Sequence, residues 1–203
     1  MKRVLLLLAN GFEMLEASAF IDVIGWNLVD GDGSTELFTC GLQKEVKSSF
    51  NQKVVVDFLI GDVELDLFDA LAIPGGFEEY DFYKDAYDER FLDLIRRFKA
   101  KDKIIASICV AALPLGKSGV LEGKNGTTYN RNIIRQETLR GYGVKVINEP
   151  IVVDGNIITS WNPSTAVEVA FLLLERLTSK ENADYIRQIM GFERINNLKD
   201  KKA

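Results

Sequence analysis

The sequence predicts an α/β fold, a mostly parallel sheet with helices on both faces. Three observations carry that expectation. Short apolar runs alternate with amphipathic segments along the chain, as in strand–helix–strand units. The runs Val4-Leu5-Leu6-Leu7-Leu8-Ala9, Ala70-Leu71-Ala72-Ile73 and Ile104-Ile105-Ala106 are continuously apolar, the pattern of strands buried on both faces. Several of them end directly in turn residues, at Asn10-Gly11 and at Pro74-Gly75-Gly76.

Taken in order, residues 3–9 form the first strand. Residues 14–30 form a helix whose inward face carries Phe20, Val23, Ile24 and Leu28. Strands come next at 35–40 and 53–58, the second on Val54-Val55-Val56, and another at 70–73. Residues 88–100 are helical, with Phe91, Leu94, Ile95 and Phe98 in register. After the strand at 104–106, a helix starts near 110. Asn130 caps a helix over 131–140 that Gly141 ends, and 144–147 is a strand. Asp154-Gly155 marks a hairpin with a type I′ turn within 151–158. Asn162-Pro163 opens a long helix with a core face of Val167, Ala170, Phe171 and Leu174. A last helix lies near 180–190, before a fraying tail.

With 203 residues the expectation is one domain over 1–203, with 179–203 a C-terminal helix and tail extension. No staple is needed, since a domain of this size buries roughly 70% of its unfolded surface. Hydrophobic residues make up 47% and charged residues 27%, which excludes disordered and disulfide-scaffold classes. Thirty acids against 25 bases give a net charge of −5. Nucleic-acid partners are therefore not expected, and Lys199, Lys201 and Lys202 read as a solvated end. The basic start Met1-Lys2-Arg3 with its apolar run imitates a signal peptide, but the run is too short and no cleavage site comes after it. No stretch reaches bilayer-spanning length, so no membrane partner is expected. Two cysteines, Cys40 and Cys109, suggest a reducing, cytoplasmic compartment. The chain has no histidine, which removes Ser-His-Asp and Cys-His catalysis and most zinc sites. No metal and no cofactor is expected.

In parallel sheets the ligand site lies outside the carboxyl ends of the strands. Three segments qualify: Asn10–Glu16, Pro74–Phe77 and Ser107–Val110. Cys109 sits between a buried strand and a helix start. A sharp strand-to-helix turn lifts its side chain over the sheet, and the free amides and positive end of the helix favour a thiolate. Alternatively, Cys109 is a small buried hydrophobe. Cys40 ends an ordinary strand and reads as core. Gly75 and Gly76 let backbone approach a ligand and offer amides for an oxyanion hole, or they simply make a tight turn. Glu16, at the start of the first helix, either reaches over the sheet or complements the helix dipole. Glu13 is its rival and reads as a loop or first-turn charge.

Together these residues resemble a known family. The segments Asn10-Gly11-Phe12-Glu13-Met14-Leu15-Glu16, Ala72-Ile73-Pro74-Gly75-Gly76-Phe77, Ile104-Ile105-Ala106-Ser107-Ile108-Cys109 and Ile158-Thr159-Ser160-Trp161-Asn162-Pro163-Ser164-Thr165 are similar to those of the ThiJ/PfpI superfamily, the family of the Parkinson's-associated protein deglycase. The likeness spans about residues 2–178. It implies a flavodoxin-like three-layer sandwich and a homodimer in which the segment around Pro163 closes a neighbour's pocket. It implies that Cys109 is the elbow cysteine in a strained conformation, and that protonated Glu16 donates to its thiolate or sulfinate. The amides of Gly75, Gly76 and Val110 would face the sulfur or a substrate oxygen. A carboxylate and a thiolate side by side repel, so one of them holds a proton and they titrate as a couple.

The sequence departs from that family at several points. Val110 stands where protease-like members carry histidine, and Ala111 where the elbow usually has glycine. Tyr129 stands where other members supply a histidine, and a phenol is a poor base at neutral pH. Trp161 and Phe50 replace two arginines of deglycase-like members, so anionic substrates are disfavoured. Phe77-Glu78-Glu79-Tyr80-Asp81-Phe82-Tyr83-Lys84-Asp85-Ala86-Tyr87 leaves a strand end and either lines or covers the cysteine site as an apolar, acid-rimmed pocket or is a solvated helix start whose aromatics pack on neighbours; the second is preferred for most of these residues, and Phe77 is assigned to the pocket. The expected pocket is then Phe77, Tyr129, Trp161 and Pro163. The leading function is attack on a small reactive carbonyl by Cys109, with Glu16 as acid and base, as in glyoxalase or deglycase chemistry. Hydration or hydrolysis of a small carbon–nitrogen compound is related to it. The alternative is a redox-responsive stress protein whose Cys109 becomes a sulfinate. Peptidase and glutamine amidotransferase activities are disfavoured by the missing histidine.

Overall fold

The computed structural model describes residues 1–192. In chain order the elements are β1 (Lys2–Leu8), α1 (Met14–Asp30), β2 (Thr35–Gly41), β3 (Glu45–Lys47), β4 (Lys53–Val55), β5 (Phe58–Leu59) and β6 (Ala70–Ile73). Then come α2 (Phe82–Ala86), α3 (Glu89–Ala100), β7 (Ile104–Ser107), α4 (Ala112–Lys117), β8 (Asn125–Gly126) and α5 (Ile133–Gly141). The series ends with β9 (Lys145–Val146), β10 (Ile151–Asp154), β11 (Ile157–Ser160), α6 (Ala166–Leu177) and α7 (Lys180–Ile189).

Seven strands form one sheet in the order β10-β11-β7-β6-β1-β2-β5. All neighbours are parallel except β10 with β11, the hairpin. Alternation along β1 shows why its run is unbroken. Leu5 and Leu7 enter the layer under α3 and α4 with Phe91, Leu94 and Leu113. Val4, Leu6 and Leu8 enter the opposite layer with Phe20 and Ile24 of α1 and Val169, Ala170 and Leu173 of α6. The result is the mostly parallel sheet with helices on both faces that the pattern predicts, and the flavodoxin-like three-layer sandwich that the resemblance implies, with a small hairpin. Among the described residues, no helix is long and apolar enough to cross a membrane.

Local expectations differ in five places. The valine run of 53–58 splits: β4 pairs antiparallel with β3 in a separate ribbon, and β5 alone joins the large sheet. An apolar run does not say which sheet takes it, and Val55 is in fact exposed. On α1 the inward position is Asn27, not Leu28. Asn27 is held there by hydrogen bonds to Asp32, Thr35 and Asn182. The cap of α5 is Asn132, whose Oδ1 accepts from the Ile134 N–H at 2.9 Å. Asn130 instead accepts from Asn162. On α6, Val167 is only half-buried, while Val169 and Leu173 are fully buried. In the hairpin, Gly155 (φ +60°) has a positive φ and Asn156 does not, which fits type II′ rather than type I′. The tail lysines lie outside the described residues.

Candidate active site

The carboxyl ends of β1, β6 and β7 lie side by side, because these strands are neighbours in the sheet. Each ends in one of the three segments singled out from the sequence. After β7, Ile108 is still extended, and its N–H donates to the Ile73 carbonyl at 3.1 Å. The chain then turns sharply at Cys109, which has φ +59°. Left-handed backbone costs a residue with a side chain on the order of 1–2 kcal/mol, so surrounding contacts must hold it. They do: the Thr128 hydroxyl donates to the Cys109 carbonyl at 3.0 Å, and the Ala111 N–H donates to the Ile108 carbonyl at 3.1 Å. Cys109 is therefore at a nucleophile-elbow-like position. A 3₁₀ turn over Cys109–Ala111 leads into α4, which is only six residues long. The helix expected from about 110 is therefore a short one, with the thiol at its start.

Glu16 lies in the first turn of α1. The loop before it is fixed at Glu13. The Glu13 N–H donates to the Gly75 carbonyl at 2.7 Å, and the Glu13 side chain caps Leu15 at 3.1 Å. Glu13 thus takes the first-turn role, and Glu16 turns inward with no exposed surface. Its Oε2 accepts from the Gly75 N–H at 2.6 Å. Its Oε1 is buried and has no hydrogen-bond partner among the described residues. Gly75 is required by packing: a Cβ there would lie 2.9 Å from the Cys109 Cβ and 3.0 Å from Glu16 Oε2.

Burial dominates the titration of both groups. It raises the Glu16 carboxyl to about 8, against the Gly75 hydrogen bond that lowers it and with help from the nearby Glu13 charge. Burial also pushes the Cys109 thiol well above its ordinary value, and a charged Glu16 pushes it further, while the Val110 N–H on the sulfur opposes both. This corrects the expectation of a thiol lowered by a helix end: isolated ionisation of either group is unfavourable. Once Glu16 is protonated its Coulombic push on the sulfur vanishes, so the pair holds one shared proton more readily than none.

A cavity of about 340 Å³ opens over this pair. Cys109, Glu16, Gly76, Val110, Phe77, Tyr129 and Pro163 all line it, as does Glu13. Two expected residues do not. The Gly75 amide is committed to Glu16 rather than facing the sulfur. Trp161 is outside the lining; its indole N–H is buried without a partner among the described residues, and its backbone N–H donates to the Pro150 carbonyl. Glu78, Glu79, Tyr83, Asn132 and Arg135 complete the wall, and none of them is among the pocket residues expected from the sequence. Arg135 restores a positive charge to the rim. It pairs with Glu78 Oε2 and lies 4.9 Å from the centre of the Tyr83 ring. The signal was its place on the helix after Tyr129, one turn from the cap. Phe50 packs on Phe77 at 5.8 Å, outside the cavity wall. A larger depression of about 620 Å³ lies near Asn10, Lys47 and Asp85. It contains no cysteine, and its Asp85 is already bonded to Asn10.

A mostly parallel seven-stranded α/β sheet with a strained cysteine at the end of a central strand defines an elbow-type site. The comparisons give the family. The chain belongs to the DJ-1/PfpI family, which matches residues 2–176. It is 31% identical over 189 residues to Protein dj-1beta of Drosophila melanogaster, covering 91% of this chain and 94% of that protein. It is 30% identical over 162 residues to Deglycase PfpI of Pyrococcus furiosus, covering 79% and 90%. To Protein DJ-1 homolog A of Arabidopsis thaliana it is 32% identical over 190 residues, covering 93% of this chain. The chain spans about half the length of that relative or less, 46%, and 40% of DJ-1 homolog B of the same plant. The crystal structure of Drosophila DJ-1beta superposes with a TM-score of 0.81 at 29% identity, over 93% of this chain and 97% of that one.

Proposed function

We propose that the chain acts on small reactive carbonyls of the 2-oxoaldehyde class, with Cys109 as nucleophile and Glu16 as acid and base. One observation supports this most: a thiol and a fully buried carboxyl share one cavity, and the free oxygen of that carboxyl has no partner among the described residues. A raised Glu16 carries a proton at neutral pH and can give it up as charge develops. Sγ bonds to the aldehyde carbon, the carbonyl π pair moves to oxygen, that oxygen takes the proton from Glu16, and the carboxylate so formed takes the thiol proton from sulfur. The product is a hemithioacetal. Glu16 then gives its proton to the second carbonyl oxygen as it takes the proton of the former aldehyde carbon, and in the resulting enediol it gives that proton to the neighbouring carbon as it takes the hydroxyl proton from the first oxygen, which leaves a thioester. Water then cleaves the thioester to a 2-hydroxy acid and free thiol. The sum is substrate plus one water, with no outside oxidant or reductant. The amides of Gly76 and Val110 are the donors for the developing oxyanion. Without histidine every proton passes through Glu16. The name Deglycase PfpI on one relative is in keeping with this chemistry.

The test tracks methylglyoxal loss and 2-hydroxy acid formation with the wild type and Cys109→Ser. Turnover in the wild type that is lost in the variant is expected. Equal rates in the two proteins would overturn the reading.

A second reading is redox response: peroxide takes the Cys109 thiolate to sulfenic and then sulfinic acid, which Glu16 and the Val110 amide hold. It is favoured by a half-buried cysteine beside a carboxyl donor and by a similar structure described as Toxoplasma gondii DJ-1, oxidized, at 26% identity and a TM-score of 0.76. A homodimer, a cytoplasmic address and a single domain belong to the same proposal and rest on the family resemblance and the sequence.

A further inference from the structure

The cavity holds a polar group that the carbonyl chemistry does not use. Tyr83, on α2, lines the same cavity as Cys109, and its hydroxyl is buried without a hydrogen-bond partner among the described residues. A buried hydroxyl left unpaired costs free energy, so its acceptor comes from whatever fills the cavity. The ring itself is held on several sides. It meets Phe82 edge-on at 5.3 Å and Tyr87 at 5.0 Å, and the Arg135 guanidinium stands over it at 4.9 Å. Arg135 is anchored in turn by Glu78. Burial raises the phenol above its ordinary value, and a charge on Cys109 raises it further, against the opposing pull of Arg135. Tyr83 therefore keeps its proton and acts as a donor, not as a base.

We propose that Tyr83 is the substrate-positioning donor of this site: its hydroxyl hydrogen-bonds the second carbonyl oxygen of a vicinal dicarbonyl whose aldehyde carbon is bonded to Cys109. The inference rests on the reading of Cys109 and Glu16 as a 2-oxoaldehyde-attacking pair, and names the residue that holds the second oxygen of that substrate. A simple aldehyde offers the thiol the same electrophilic carbon but leaves the Tyr83 hydroxyl unpaired. A site built to hydrogen-bond a substrate oxygen discriminates against the analogue that lacks it. Tyr83 breaks and makes no covalent bond; its proton stays on oxygen throughout.

The test is protection of Cys109 from iodoacetamide by methylglyoxal and by propanal, in the wild type and in Tyr83→Phe. Loss of one hydrogen bond predicts a half-protecting methylglyoxal concentration about tenfold higher in the variant, with propanal unchanged. The melting temperature should hold or rise, since the variant loses no hydrogen bond among the described residues. Equal weakening for both aldehydes, or none for either, would overturn the inference and leave the hydroxyl merely hydrated. Selective weakening in a wild type that makes no 2-hydroxy acid would keep the inference and sink the proposed reaction. If neither aldehyde protects the wild type, both fall.

Discussion

Cys40 and Cys109 both stand at the carboxyl end of a parallel strand, yet they meet different surroundings. Cys40 stays in register on β2 opposite Leu7, with no exposed surface. Burial pushes its thiol up to about 12, the Gly41 amide opposes this weakly, and the Asp62 charge adds to it. Cys109 leaves its strand through a left-handed turn and reaches a cavity. Burial raises its thiol as well. What separates the two is not the ease of ionising alone. Cys109 has a second acid, Glu16, with which to share a proton, and an opening through which a small electrophile can arrive.

The largest expected contrast is in turnover. Cys109→Ser should lower the rate on methylglyoxal by at least about a thousandfold, the scale of losing a nucleophile that acts as a unit with its acid. Cys40→Ser should leave the rate intact and cost roughly 1–3 kcal/mol of stability, because it buries a hydroxyl in an apolar layer. Turnover lost in both variants would erase the distinction.

Next in size is the pH dependence of stability. Glu16 binds its proton more tightly folded, at about 8, than unfolded, where an ordinary glutamate applies. The unfolded chain thus holds fewer protons between those values, and stability falls as pH rises through that window. The loss is bounded at roughly 5 kcal/mol above pH 8. Glu16→Gln should flatten the slope and be the more stable protein at alkaline pH. Urea unfolding at pH 5 and pH 9 reads this directly; parallel slopes in the two proteins would contradict it.

A smaller effect probes the turn that brings the two strand ends together. A Cβ at Gly76 would lie 2.2 Å from the Gly11 carbonyl oxygen and 2.4 Å from a Phe82 ring carbon. Because the first of these is backbone, Gly76→Ala should cost roughly 1–3 kcal/mol in a denaturant titration. A neutral result would mean that the β1 and β6 loops can separate without penalty.

Legibility in the sequence depends on where the information lies. Unbroken apolar runs identify β1, β6 and β7, because strands covered on both faces bury every residue. Their turn residues identify the site segments. Val54-Val55-Val56 misleads because an edge ribbon and a buried strand share one local pattern. Cys109, Glu16, Gly76 and Phe77 are readable from their positions after strands. Tyr83 and Arg135 are not, because they reach the cavity only through the packing of α2 against α5, which no local spacing encodes. The departure of Gly75 from its expected role has a similar cause: whether an amide faces a ligand or a carboxylate depends on the rotamer of a residue 59 positions away.

The most direct measurement is the alkylation rate of Cys109 against pH, read by peptide mass with Cys40 as internal control, in the wild type and in Glu16→Gln. Burial and the Glu16 charge predict that Cys109 reacts with a half-point above that of an ordinary thiol. In Glu16→Gln that half-point moves downward, because the carboxylate charge that opposes the thiolate is gone. Cys40 stays unreactive across the same range. Two cysteines that react alike at every pH, or a half-point indifferent to Glu16, would contradict the account.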